Sequence, residues 1–184
     1  MFFGGDLVPW VTVAEITKDE MCDLMETENY LTEEGAKNSR LFRKNTLIYS
    51  NSGATLGVPK ILRIDACAND GVVGFENLSN EVEIKFLYYF LNSMTNSIRE
   101  RIKQGSGQPN LNTDIIKAIR FAVPPIKEQH LIFEFITELS EQFRSLIAQA
   151  QRGIELLKER RSALISAAVT GKIDVRGWTP PEAV

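Results

Sequence analysis

The chain has 184 residues, 43% of them hydrophobic and 24% charged, with a net charge of −3. That balance suits one ordinary folded domain with an appendage and excludes a disordered chain. No apolar run approaches the roughly 18 residues of a membrane span, the start MFFGGDLVPW lacks the basic region and cleavage site of a signal peptide, and Cys22 and Cys67 have neither CxxC spacing nor a histidine cluster nearby, so reduced thiols in a cytoplasmic protein are expected.

Charge is unevenly distributed. Residues 1–34 hold nine acids and one base, Lys18, whereas Lys37, Arg40, Arg43, Lys44, Lys60 and Arg63 follow with no acid among them. A second basic stretch runs from Arg99 to Arg120. Such segregation either gives a local positive surface that attracts phosphate or is a solvated basic loop that binds nothing.

Along the first 124 residues, short apolar runs alternate with turn residues. Trp10–Ile16 reads as a strand, Thr46–Ser50 (TLIYS) as a second, Pro59–Ile64 (PKILRI) as a third and Gly71–Phe75 as a fourth. The turn-rich segment from Asn51 to Gly57 separates the second and third. Ile84, Leu87, Tyr88, Leu91, Met94 and Ile98 then recur at three- and four-residue steps, which predicts a helix of roughly 18 residues with its apolar face on the strands. It ends before Gly105-Ser106-Gly107-Gln108-Pro109-Asn110. Asn112 or Thr113 is placed to cap a short turn through Ile116, and a strand over Ile119–Val123 follows.

After Pro124-Pro125 the character changes. From Ile126 to Val169 there is no proline and one glycine, Gly153. Ile132, Ile136, Leu139, Phe143, Leu146/Ile147, Ala150, Ile154, Leu157, Leu164 and Ala168 form an apolar stripe with a stutter between Phe143 and Ala150. The opposite face carries Glu134, Glu138, Glu141, Arg144, Arg152, Glu155, Lys158 and Arg161. This pattern predicts a helix of about 40 residues, or about 60 Å, stopped at Gly171. Such a helix is too long to bury its stripe on a head whose radius of gyration is about 14 Å, so a second helix is expected to cover it. The alternative is a break at Gly153 into a helical hairpin. The expected organisation is α+β: a mixed domain over 1–124, the long helix over 125–170 and a tail over 171–184.

Catalytic chemistry is hard to find. His130 is the sole histidine, and no GxGxxG, GxxxxGK[ST] or GxSxG occurs. Val-Pro-Pro-Ile lacks the amide and the aromatic of the Asn-Pro-Pro-aromatic motif of amino-methyltransferases. Two polar loops stand out instead, Ser50–Thr55 and Lys103–Asn112. Their amide and hydroxyl side chains suit base edges and phosphates, and equally suit structural turns.

Taken in order, several segments resemble one family. Gly5-Asp6-Leu7-Val8-Pro9-Trp10-Val11 is similar to the opening of the target recognition domains of type I restriction-modification specificity subunits. Leu47 to Gly57 resembles the family's central strand and loop, and Gly105-Ser106-Gly107-Gln108-Pro109-Asn110-Leu111-Asn112 resembles its Gly-Ser-x-Gln-x-Asn segment. Val123-Pro124-Pro125-Ile126-Lys127-Glu128-Gln129 is similar to the start of its conserved helix, Ile154–Ile165 to the helix body and Ala168-Val169-Thr170-Gly171-Lys172-Ile173-Asp174 to its ending. The resemblance implies a non-catalytic chain that selects double-stranded DNA sites for methylation subunits and a restriction subunit. It implies no cofactor on this chain, with S-adenosylmethionine, ATP and magnesium on the partners.

The family usually carries two recognition domains and two conserved helices packed antiparallel, and this chain has one of each. A homodimer, or a pairing with another half-subunit, is therefore expected through Ile132, Ile136, Leu139, Phe143, Ile147, Ile154, Leu157 and Leu164, with a palindromic bipartite DNA target. Arg40, Lys44 and Lys60 are nominated for phosphate, and Ser52, Gln108, Asn110 and Asn112 for base edges, with Lys103 and Ser106 beside them. A coiled-coil adaptor whose head binds protein is the alternative, and a methyltransferase fragment ranks below both.

Overall fold

The computed structural model describes residues 3–53, 55–103 and 111–179. The chain divides into two compact units, Met1–Glu134 and Phe135–Val184. The first unit is built on two four-stranded sheets. One has the order β3 (Asn29–Leu31), β1 (Phe3–Val11), β7 (Ala66–Ala68), β4 (Leu41–Phe42); the other has the order β2 (Asp23–Leu24), β6 (Pro59–Leu62), β5 (Leu47–Ser50), β8 (Val72–Phe75). The parallel pairs are β1 with β7 and β2 with β6, and every other neighbour is antiparallel.

Every residue of β5 and β6 is buried, because both faces of the second sheet are covered. Leu47, Tyr49 and Ile61 face a core shared with Leu87, Tyr88, Leu91 and Ile98 of the helix α3 (Ile84–Lys103). The alternate residues Ile48 and Leu62 join Val11, Phe42, Ala66 and Val72 in a second core, against the first sheet. The two sheets meet closely at Gly74, where a β-carbon would come within 2.3 Å of the Phe42 ring. Glycine is required there by space.

The expected strands at 46–50, 59–64 and 71–75 are β5, β6 and β8, and the expected helix is α3. Two other expectations fail for physical reasons. The run Trp10–Ile16 is strand only to Val11. Thr12 then caps the short helix α1 (Val13–Thr17), its hydroxyl accepting from the Glu15 N–H, so a Thr-x-x-Glu cap overrides the β-branched composition. Ile119–Val123 is irregular; Phe121 stacks on Phe90 with ring centroids 4.6 Å apart, so this run packs on α3 without joining a ladder. A helix α2 (Glu33–Lys37) capped by Thr32, and α4 (Thr113–Lys117) capped by Asn112, complete the unit's short elements.

Helix α5 (Ile126–Val169) is continuous through Gly153, so the hairpin alternative is not adopted. Its 44 residues correspond to about 66 Å. The end is a Schellman motif: Gly171, at φ +71°, donates its N–H to the Ala168 carbonyl and Lys172 donates to Ala167. In the second unit Phe143, Leu146, Ile147, Ile154, Leu157 and Leu164 are all at least half exposed. Among the described residues no helix is long and apolar enough to cross a membrane.

Two buried polar side chains hold the first unit together. Gln129, in the second turn of α5, is fully buried. Its Nε2 donates to the carbonyls of Glu81 (2.6 Å) and Pro124 (2.7 Å), and its Oε1 accepts from the Glu83 N–H (2.8 Å). One amide thus satisfies three backbone groups that precede α3 and α5. Lys60 is 2% exposed. It shares its face of β6 with Leu62, so its stem lies in the inter-sheet core while its ammonium reaches the Asp19 carboxylate and the carbonyls of Asp19 and Met21. That ammonium holds the Asp19 carboxyl below the ordinary carboxylate value, with a further contribution from the Met21 N–H.

Replacing Gln129 by Leu keeps the volume and strands the three backbone groups, so chemical denaturation should show a loss of about 3 kcal/mol. Gln129→Glu should be worse at pH 7 than at pH 4, because an ionised carboxylate facing two carbonyls has a raised pKa and its stability is lost as pH rises. Lys60→Met leaves a half-exposed Asp19 and two carbonyls without their donor, so it should cost about 1–2 kcal/mol at pH 7. Asp19 is depressed in the fold, so its contribution is present above about pH 3.9 and lost as pH falls through the lower folded value. Urea titrations between pH 7 and pH 3 should therefore show a shallower acid loss in Lys60→Met than in the parent chain.

Candidate nucleic-acid interface

The basic segment from Lys37 to Arg63 is neutralised almost residue by residue. Lys37 pairs with Glu33, Arg40 with Glu76, Arg43 with Asp65, Lys60 with Asp19 and Arg63 with Asp23. Lys44 differs. Its backbone N–H donates to Asp65 Oδ1 (2.7 Å), but its exposed ammonium makes no hydrogen bond or ion pair among the described residues. The expected positive surface therefore does not follow from the linear cluster. Acids from both flanking stretches fold back onto it.

Lys60 is removed from the phosphate candidates. A strand covered on both faces leaves no solvent side for alternate residues, so the alternation of PKILRI does not place Lys60 in water. Arg40 remains exposed, with its guanidinium 5.2 Å from the Phe42 ring centroid. The exposed pairs of Arg40 and Arg43 hold their partners weakly.

The two polar loops converge. Leu111 is fully buried, and its N–H donates to the Asn51 carbonyl (2.7 Å). The segment after Ser50 is pinned at its far end by α3: Thr95 donates to the Gly57 carbonyl and Arg99 Nε to that of Leu56 (2.8 Å). The Ser50 hydroxyl closes the base, donating to the Thr55 carbonyl (3.0 Å) and accepting from the Val58 N–H (2.9 Å). Ser52 is half-buried beside Gly71. Asn112 is exposed, but its Oδ1 accepts from the Ile115 N–H (2.9 Å) as the α4 cap, which leaves only its amide donors free. Lys103 is the last residue of α3. Ser106, Gln108 and Asn110 lie outside the described residues.

Beside this junction lies a concavity of about 420 Å³ whose lining includes Trp10, Asn38, Arg40, Asn69, Asp70 and Thr113. Apart from Arg40 the sequence reading did not nominate these residues for DNA. They come from four separate stretches of chain, three of which are brought together by the order of the first sheet, with β1, β7 and β4 adjacent, while Thr113 is supplied by α4. No local motif signals them. Both cysteines are free thiols raised by burial, Cys22 to about 12. Among the described residues no group of three or more His, Cys, Asp and Glu side chains is placed to hold a metal ion.

Comparison with known proteins bears on what this arrangement is. Residues 3–156 match the model of the type I restriction modification DNA specificity domain. The chain is 29% identical over 163 residues to the type I restriction enzyme MjaIX specificity subunit of Methanocaldococcus jannaschii, covering 86% of this chain and 36% of that protein. Among solved structures, a chain of a type I R-M system described for its complex assembly and conformational transition superposes with a TM-score of 0.72 at 18% identity, over 90% of this chain and 39% of that one. The S subunit of a type I system from M. genitalium gives 0.57 at 18% identity, over 89% of this chain and 38% of that one. The HsdS subunit of Thermoanaerobacter tengcongensis gives 0.58 at 14% identity, over 76% and 31%. These structural likenesses concern the fold. The chain spans little more than a third of the length of the curated relative it matches. With the match running from the first strand through most of α5, the chain belongs to the family of type I restriction-modification DNA specificity domains.

Proposed function

We propose that the chain is a sequence-recognition half of a type I restriction-modification assembly. It reads one half of a bipartite target in double-stranded DNA and delivers methylation subunits, and a restriction subunit, to that site. The observation that carries this reading is the family match over 3–156, which takes in the head and thirty-one residues of α5 together. In this reading the chain is a cytoplasmic, non-catalytic adaptor between DNA and enzyme. S-adenosylmethionine, ATP and magnesium act on the partner subunits. Lys44 contacts phosphate, Ser52 and the amide donors of Asn112 face the DNA, and Lys103, Ser106, Gln108 and Asn110 are contributed by the polar sequence segment from the end of α3 to Leu111.

The second half of the recognition unit is a second copy of the chain, paired antiparallel through α5. The apolar stripe supports this by its own symmetry. Outward from Ala150 the same steps of four, three, four, three and four residues recur in both directions. Leu146 mirrors Ile154, Phe143 mirrors Leu157, Ile136 mirrors Leu164 and Ile132 mirrors Ala168. A two-fold axis at Ala150 then opposes large apolar residues to large ones at three of the five pairs, with a small side chain at the axis, where the stutter falls. The unlike pairs are Ile132 opposite Ala168 and Leu139 opposite Arg161, a residue the sequence pattern assigns to the polar face but that falls on these steps.

Two measurements test this reading. Ala150→Cys should give a disulfide-linked dimer under mild oxidation, while cysteine at Glu141, on the far face, should not; sedimentation showing a monomer at micromolar concentration would sink the pairing. Lys44→Ala, assembled with methylation subunits, should weaken binding to all duplexes alike and reduce the slope of log K against log salt by about one. An unchanged slope removes Lys44 from the interface.

A further inference from the structure

The structure assigns Arg40 a different task from the phosphate contact its place in the basic run suggests: we propose that Arg40 and Asn38 read a G·C base pair through its major-groove edge. This rests on the reading of the chain as a DNA recognition domain and names what one of its sites takes.

The Arg40 guanidinium is held from two sides. Glu76, just beyond β8, accepts from Nη2, and the Phe42 ring lies beneath at 5.2 Å. Phe42 is itself buried, 4% exposed and seated on Gly74. A phosphate needs only a mobile cation. A guanidinium that gives Glu76 one Nη2 hydrogen keeps its second Nη2 hydrogen beside Nη1, the edge that makes two parallel bonds to adjacent acceptors, as guanine O6 and N7 provide.

Charge points the same way. The lining of the concavity holds one cation, Arg40, and one carboxylate, Asp70, so its formal charge is zero. It offers phosphate no excess attraction and leaves the uncharged edge of a base pair unopposed. Asn38 completes the pattern. Its Nδ2 gives one hydrogen to the Glu34 carbonyl (2.8 Å), which leaves Oδ1 as an acceptor beside one remaining amide hydrogen. Two donors from Arg40 and an acceptor from Asn38 match guanine O6/N7 and the cytosine N4 amino group. An A·T pair offers thymine O4 and a methyl group where the amino group is needed. The concavity also borders the junction at which the two polar loops meet, since Thr113 lines it two residues after Leu111.

The test is selection from a duplex pool randomised across both half-sites, using the chain assembled with its methylation subunits. The parent chain should select a motif containing a guanine that Arg40→Lys no longer distinguishes. Preference for that base should fall by about ten-fold or more, with the other positions, the salt slope and the melting temperature kept. Asn38→Ala and Glu76→Gln should weaken the same position, and Glu76→Gln retains Arg40 while removing only its support. An unchanged motif in Arg40→Lys and Glu76→Gln overturns the assignment, as does an equal loss on all sequences in Arg40→Ala, which marks a phosphate contact. A parent assembly that selects no motif at all overturns the reading of the chain as a DNA recognition domain, a result distinct from either.

Discussion

The burial of β5 and β6 on both faces is the constraint from which the rest of the head follows. Eight strand residues with no solvent side put a cost on each polar group among them that finds no partner inside; Tyr49 bears it, its buried hydroxyl having no hydrogen-bond partner among the described residues, whereas Ser50 and Lys60 are satisfied. Ser50 achieves this by closing the loop that begins at Asn51, and Lys60 by reaching along its stem to the carbonyls before β2. The strand ends, and not the faces, are then the places where polar chemistry meets water. The loop after β5 leaves at one such end and is fixed there by Leu111, Thr95 and Arg99. A rigid sheet with its variable, amide-rich loops pinned at their bases is the arrangement in which loop sequence changes without disturbing the core.

The same topology rearranges the charges. In sequence, the bases between Lys37 and Arg63 stand alone. In space, Glu33, Asp65 and Glu76 are joined to them across turns and Asp19 and Asp23 across the second sheet, because β2 pairs with β6. Electrostatic recognition on an acidic protein then depends less on the number of lysines than on which ones escape pairing. Lys44 is left without an ion pair: Asp65 accepts from the Lys44 backbone N–H and from Arg43, and these bonds, with the nearby Arg43 and Lys44 charges, keep that carboxyl below its ordinary range. A lysine without an ion pair gives non-specific attraction; an arginine set between a carboxylate and a ring gives direction.

Legibility in the sequence tracked the range of the interaction involved. The helices α3 and α5 were readable because their 3.6-residue period is local, and the Gly171 stop because its left-handed backbone is encoded by one residue. The strands β2, β3, β4 and β7 have two or three residues each, too few for any period to show. Lys60 was misplaced since alternation distinguishes an inside from an outside only where one face is wet. Arg40 was nominated for phosphate from its place in a basic run; its partners Glu76 and Phe42 and the neighbouring Trp10 and Asp70 are set by strand order, which no short segment records. Gln129 was quoted as part of a family motif without a physical reason; its three backbone partners are the reason, and they too are distant in sequence.

The exposed stripe of α5 can be weighed in energy. Fully burying a Leu, Ile or Phe side chain contributes about 1.5–3 kcal/mol, and a two-helix seam buries each about halfway, or about 1 kcal/mol apiece. Six such exposed residues, Leu139, Phe143, Ile147, Ile154, Leu157 and Leu164, from each of two copies give a gross gain of about 12 kcal/mol, set against an association cost of about 4–15 kcal/mol. The proposed pairing of α5 is thus one whose balance single seam residues decide. Arg161 falls on the two-fold steps, where its mirror is Leu139, so pairing requires its aliphatic stem to lie along the seam and its guanidinium to reach past the edge. A Leu there would strengthen the self-pair. Arginine instead makes the stripe less than perfectly self-complementary, and so leaves room for a related half-subunit with an acid at the opposing position to compete for the same helix.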